Sequence, residues 1–285
     1  MVNSLLGLAA PVYRYAAFTD DPAAGNPAGV VLDARGMADD EMLAVAAELG
    51  YSESAFVTSS TGNDHDVRYF SPLAEVPFCG HATIATAVAL AERGSGGRLA
   101  FHTRSGQVDV ATADDAGHAT ATLTSVNPHV EELDAAGLDE ALASLGWTAG
   151  DLDPALPPRV AYAGAFHPVL AASTRQRLGE LEYDFERLKG LMIERDWTTL
   201  QLVWREDEHL FHSRNPFPVG GVVEDPATGA AAAAFGAYLR ALELVKPPVT
   251  VTIHQGEDLG RPGLLTVHIP ADRASIDVTG GAVQI

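Results

Sequence analysis

Glu53, His81, Asp225 and Cys79 are the side chains of this chain best placed by type and setting to move protons. Glu53 lies in YSESAFV, a strand-like run in which it is flanked by Ser52 and Ser54 and, by alternation, shares a face with Ala55 and Val57. A carboxylate on an otherwise apolar face is costly without partners or a function. Burial there would lift its pKa toward the range useful for acid–base work. The competing reading is a surface glutamate at a strand end. Asp225 precedes Pro226 just before an alanine-rich helical run, where an aspartate is commonly a cap. His81 falls in the first turn of another helical run, where a histidine is more often structural. Cys79 stands beside that start, either as a thiol of lowered pKa or as a small buried apolar residue.

The elements that must hold these groups are two helix starts. GHATIATAVALAER, Gly80 to Arg93, is apolar almost all round, the mark of a buried helix. Thr228 to Leu244 is a second run of small apolar residues, stopped by Pro247 and Pro248. Each begins on small residues, Gly80-His81-Ala82 and Gly229-Ala230-Ala231. A helix start carries unpaired N–H groups and partial positive charge, which suits a carboxylate or an oxyanion formed during proton abstraction. The alternative is glycine for tight packing against a sheet. Ahead of each helix the pattern is the same: strand, proline turn, glycine, helix. One unit appears twice, half a chain apart, which points to a duplication in which each half wraps a sheet around its own helix.

Around these runs the pattern predicts strands at residues 12–18, 28–32, 53–58, 67–70, 99–101, 107–111 and 119–123, and a helix over 39–49 closed by Gly50. The polar stretch 127–153, with a surface helix at 139–145, is the expected domain crossing. Beyond it come a strand pair in 159–172, a helix in 181–192, and strands at 200–204, 209–213, 249–253 and 264–269.

Composition bounds the function. The 285 residues are 47% hydrophobic and 20% charged, which fits a globular protein with a sizeable core. The formal charge of -20 disfavours phosphate backbones and anionic lipid, so no nucleic acid and no membrane is expected as a partner. The lone cysteine excludes an internal disulfide and a zinc site built on several thiolates. The opening MVNSLLGLAAP lacks a basic region, so it does not read as a signal peptide, and the cytoplasm is the expected location. No metal is expected: His209 and His212 would point to opposite faces of one strand, and His65 and His102 lack matching ligands. No phosphate loop, dinucleotide fingerprint or nucleophile elbow is present.

Five ordered segments carry a resemblance: AFTDDPAAGNPAGVVLDA (17–34), YSESAFV (51–57), FSPLAEVPFCGHAT (70–83), EDPATGAAAAA (224–234) and QGEDLGRPG (255–263). Together they resemble the phenazine-biosynthesis PhzF-like family, related in fold to diaminopimelate epimerase. The resemblance implies an α+β fold of two pseudo-symmetric halves, each a barrel-like mixed sheet wrapped around a central helix, with the active site between them. The expected domains are residues 1–126, completed by a returning last strand at 277–285, and residues 127–276. It also implies a homodimer without cofactor, acting on a small carboxylate-bearing substrate. The family's catalytic glutamate corresponds to Glu53, its histidine to His81 and its aspartate to Asp225. Asn26, Cys79, Gly80, Thr228, Gly229 and Ala230 are the matching substrate-binding candidates. Ala230 stands where the family usually has serine. Related epimerases and racemases use two cysteines; Cys79 matches one, and Thr228 occupies the place of the other. A two-thiol mechanism is therefore impossible, whereas one carboxylic acid/base can move a proton along one face, an isomerisation. An epimerase pairing Cys79 with a carboxylate, and a binding protein that kept the fold, are the alternatives.

Overall fold

The computed structural model describes residues 10–115 and 117–285; residues 1–9, which hold most of the apolar opening, lie outside the described residues, as does residue 116. The chain forms two compact units, Met1–Thr124 with Thr279–Ile285, and Ser125–Val278.

The first unit contains β1 (Tyr13–Ala17), β2 (Asn26–Val31), α1 (Asp39–Leu49), β3 (Glu53–Thr61), β4 (Asp64–Phe70), β5 (Glu75–Val76), α2 (Gly80–Ala91), β6 (Arg98–Thr103), β7 (Gly106–Asp115) and β8 (His118–Thr124). The last strand, β17 (Asp277–Gln284), joins it from Thr279 onward. Hydrogen bonding runs β17–β1–β2–β3–β4–β6–β7–β8 and returns to β17, an eight-stranded closed barrel. The β2–β3 and β4–β6 pairs are parallel, which makes the sheet mixed. Closure leaves this sheet without free edges.

Inside lies α2, packed on β1, β2, β3, β7 and β8, with every residue from His81 to Leu90 buried. A helix enclosed on all sides can present neither long side chains nor unpaired polar groups, which is why the run is mostly alanine, valine and threonine. Its threonines satisfy themselves: the Thr83 and Thr86 hydroxyls each donate to the carbonyl four residues back, Cys79 O and Ala82 O, at 2.7 Å. Glu53 opens β3, whose next four residues are all buried. Strict alternation fails there because the strand is covered on both faces, by α2 on one and α1 on the other.

The second unit contains β9 (His129–Glu132), α3 (Ala135–Leu145), β10 (Arg159–Tyr162), β11 (Phe166–Ala171), α4 (Arg175–Gly179), α5 (Phe185–Arg195), β12 (Gln201–Arg205), β13 (Leu210–Pro216), β14 (Glu224–Asp225), α6 (Gly229–Ala241), β15 (Val249–Gln255) and β16 (Gly263–Ile269). Its sheet runs β9–β10–β11–β12–β13–β15–β16, parallel at β11–β12 and β13–β15. The topology of the first unit is thus repeated: an antiparallel pair, a helical crossover to a parallel strand, a hairpin, a two-residue strand, the buried helix, and a parallel return. Buried α6 packs on β9, β10, β11 and β16. Gly236 brings it close to β16, where a Cβ would meet Val267 Cγ1 at 2.8 Å. The fold is α+β, with the same plan in both halves.

The polar stretch after residue 127 departs from expectation. Strand β9 was hidden by its polar residues, and α3 begins four residues earlier than the pattern suggested, because the Asp134 side chain accepts from Gly137 N and caps it. The short helix α4, capped by Thr174, was not expected at all.

Two features test the packing. Gly280 in β17 faces the Phe18 ring, and a Cβ there would lie 2.2 Å from Phe18 Cδ1. Gly280→Ala is expected to lower unfolding free energy by about 1–3 kcal/mol in urea titrations. His167 is fully buried in β11, with Nδ1 2.9 Å from Thr199 Oγ1 and no partner for Nε2. Burial pushes its pKa from 6.5 down to about 4. The unfolded chain then binds the extra proton first, so this group costs stability as pH falls below about 6.5, the full loss reached near pH 4. The lost stability is on the order of 3 kcal/mol. Urea titrations of His167→Gln at pH 7 and pH 4.5 should show a smaller drop than those of the unchanged protein.

Candidate active site

In the first unit, the β3 and α2 starts bring three of the candidate side chains together. Cys79 is the residue capping α2, in extended conformation, and its side chain makes no capping bond. Its Sγ donates to Glu53 Oε2 at 3.5 Å and lies 3.3 Å from His81 Nδ1. Glu53 Oε2 is 3.7 Å from His81 Nε2, which is also 3.4 Å from Ser52 Oγ. The Glu53 side chain is 12% exposed and that of His81 4%. A nearly enclosed carboxylate beside an imidazole and a thiol, at the positive end of a buried helix, can accept a proton and hand it back. Behind the cluster, Tyr69 Oη and Thr83 Oγ1 are 2.7 Å apart, and burial raises the Tyr69 pKa, which keeps the phenol neutral. Gly80, the first residue of α2, is half-buried. Asn26 is buried at the start of β2, directly after Gly25 at φ 61, where a Cβ would meet Ala17 O at 2.3 Å.

In the second unit, the N-terminal cap position of α6 belongs to Thr228 rather than Asp225. Asp225 lies in β14, paired with Asn215, and its Oδ2 accepts from Thr228 Oγ1 at 2.5 Å. Thr228 is the residue at the cap position and makes no side-chain capping bond. Gln255, buried at the end of β15, ties this loop together. Its Oε1 accepts from Thr228 N at 3.0 Å, and its Nε2 donates to Asp225 O at 2.8 Å and to Thr228 Oγ1 at 3.1 Å. Gly256 follows at φ 81, where any Cβ would strike Arg261 O and Pro226 O. Gln255 lies in a segment that carried the resemblance, but nothing in its spacing marked it as the residue that positions Asp225. Gly229 is buried and Ala230 half-buried in the first turn of α6.

The two loops align position by position and share their glutamate, proline and glycine: Glu75-Val76-Pro77-Phe78-Cys79-Gly80 and Glu224-Asp225-Pro226-Ala227-Thr228-Gly229. Each is anchored by an arginine that the sequence did not single out. Arg68 in β4 grips Glu75 with Nε and Nη2 at 2.8 and 2.6 Å. Arg214 in β13 grips the buried Glu224 with the same atoms, at 3.0 and 2.6 Å. Both arginines sit two residues before the strand position facing the glutamate, so the clamp belongs to the duplicated unit.

Among the described residues, Glu53, Cys79 and His81 also form a group of three possible metal donors, their ligand atoms all within 4.8 Å of one another. Spacing could not reveal it, since Glu53 and Cys79 are 26 residues apart. His209 precedes β13 rather than lying in it, while His212 lies between Glu206 Oε2 at 2.6 Å and Glu257 Oε2 at 2.7 Å.

Comparison with known proteins places this arrangement. A family model described as phenazine biosynthesis-like protein matches residues 15–285. An uncharacterized isomerase of Bacillus subtilis is 30% identical over 284 residues, covering 96% of each chain. A trans-2,3-dihydro-3-hydroxyanthranilate isomerase of Pseudomonas fluorescens is 31% identical over 253 residues, covering 87% of this chain and 86% of its own. The crystal structure of a PhzF-family phenazine biosynthesis protein of Bacillus anthracis matches with a TM-score of 0.86 at 28% identity, over 96% of both chains. A hydroxyproline epimerase of Agrobacterium vitis shares the fold, with a TM-score of 0.63 at 15% identity, over 96% of this chain and 91% of that one. With the matched region running from β1 to the final residue, the chain belongs to the phenazine biosynthesis-like protein family.

Proposed function

We propose that this chain is a cofactor-independent isomerase that moves a proton within a small carboxylate-bearing substrate, with Glu53 as acid and base. The observation that carries the reading is the placement of the Glu53 carboxylate, nearly enclosed, 3.7 Å from His81 Nε2 and beside the start of α2. The names of the relatives support the class, since they are isomerases, one of them acting on a ring-bearing carboxylate.

The steps balance without a redox partner. The Glu53 carboxylate takes a proton from a carbon whose bond electrons can pass into an adjacent unsaturated system. The neutral acid then returns that proton to another carbon on the same face. Charge that builds up between the two steps is stabilised by N–H groups of the first turn of α2 and by His81. Asp225 assists or orients, held by Thr228 and Gln255. Asn26, Cys79, Gly80, Thr228, Gly229 and Ala230 are the candidate substrate contacts. Ala230 offers no hydroxyl, so the relative's substrate is one test compound rather than the assigned one.

A second reading, inversion at a carbon centre, would use Cys79, whose Sγ lies 3.3 Å from His81 Nδ1, as one acid/base; its 3.5 Å contact with Glu53 puts those two groups on the same side, so the opposite face would need another carboxylate.

The test is proton NMR in deuterated water with small unsaturated and amino carboxylates, trans-2,3-dihydro-3-hydroxyanthranilate included. Once a substrate is found, Glu53→Gln is expected to slow turnover by about 10²–10⁴-fold. Full turnover in that variant removes Glu53 from the role. Cys79→Ser separates the readings: it keeps turnover within about tenfold for a proton shift and abolishes it if the thiol is the second acid/base.

A further inference from the structure

We propose that Glu53, Cys79 and His81 form a binding site for one divalent cation of the zinc type. Three kinds of donor meet there, a carboxylate, a thiol and an imidazole, each of which zinc accepts. Their atoms make a nearly regular triangle. Sγ to Oε2 is 3.5 Å, Oε2 to Nε2 is 3.7 Å, and Sγ to Nε2 is 3.8 Å. Zinc at ordinary bond lengths in a tetrahedral site holds such donors about 3.3–3.6 Å apart. The separations thus need to change by only a few tenths of an ångström, but the His81 ring, whose Nδ1 lies nearer Sγ at 3.3 Å than Nε2 does at 3.8 Å, must turn to aim its Nε2 lone pair at the shared ion. Three protein donors leave the fourth tetrahedral position for water or a small anion.

Charge and rigidity favour the same conclusion. A glutamate carboxylate and a thiolate together carry the charge that offsets a dication. Binding breaks the S–H bond of Cys79, forms a sulfur–metal bond and releases one proton to solvent, with no change of oxidation state. The positive end of α2 opposes a cation, but its partial charge is smaller than that of the two anionic donors. The donors also ride on regular elements, the first residue of β3 and the start of α2, and the Cys79 carbonyl is fixed by the Thr83 hydroxyl. A thiolate selects zinc-like ions over magnesium and calcium. The His212 cluster differs on this point, since its partners Glu206 and Glu257 are carboxylates.

An ion so held occupies the Glu53 carboxylate and stops it from taking protons. That consequence rests on the proposed role of Glu53; the site itself does not, and its test uses no turnover.

The experiment takes the full chain, stripped of metal with a chelator, and titrates it with cobalt(II). Because Cys79 is the sole cysteine, a thiolate-to-cobalt charge-transfer band in the near ultraviolet reports this site alone. The band is expected to saturate at one equivalent, to vanish on adding zinc and to be absent in Cys79→Ser. Zinc should slow alkylation of Cys79 by iodoacetamide by at least about tenfold, and His81→Ala should weaken that protection by a similar factor. No band at millimolar cobalt, together with an unchanged alkylation rate in zinc, overturns the proposal. So does zinc binding of equal strength in Cys79→Ser, which would put the ion on other ligands such as the His212 cluster.

Discussion

A helix surrounded by strands on every side has no face to give to water, and this constraint governs the first unit. From His81 to Leu90 the α2 helix must be small and self-satisfied, so its threonines bond back to its own carbonyls. At its first turn the backbone N–H groups retain free bonding capacity, and there these reactive side chains gather. Glu53, Cys79 and His81 are found at that turn because the rest of the helix excludes them. The α6 helix follows the plan less strictly, since Phe235 and Tyr238 are buried among its alanines, but Asp225, Thr228 and Gln255 likewise collect at its start. The helix dipole then gives each cluster a fixed positive end, against which a carboxylate or a developing oxyanion is stabilised without reorganisation.

Much of this plan was legible in the sequence, and the reason is physical. A buried helix announces itself by lacking a polar face, and two of them, each behind a proline turn and a glycine, expose the duplication. The α1 helix ends where the sequence predicts because Gly50 supplies the left-handed residue that closes it. Alternation could not place the face of Glu53, because β3 is covered on both sides. Polar β9 gave no periodic signal. Contacts made across hairpins were also silent: Arg68 and Glu75 are seven residues apart and Arg214 and Glu224 ten, and no local rule links them. The triangle of Glu53, Cys79 and His81 needs the β2–β3 and β3–β4 pairings before it exists.

The two halves have kept their scaffolds and diverged in their chemistry. The glutamate of each two-residue strand, the proline, and the glycine that begins each helix recur in register, and so do the arginine clamps. At the positions between them the first unit carries Val76, Cys79 and His81 where the second carries Asp225, Thr228 and Ala230. The groups retained are those that shape the loop. Those that changed set charge and nucleophilicity, which is the division expected when one framework serves two different roles.

Strand β17 has a consequence for how the molecule is made. It is the last of the described strands to leave the ribosome, yet it lies between β1 and β8 in the barrel of the first unit. The β1 and β8 edges that it joins must wait exposed while some 150 residues of the second unit are synthesised. At ordinary translation rates of about 5–20 residues per second, that is an interval on the order of ten seconds. Two unpaired strand edges beside a wholly apolar helix make a surface to which chaperones bind and along which nascent chains can pair wrongly. Birth order thus sets the first half its hardest folding problem.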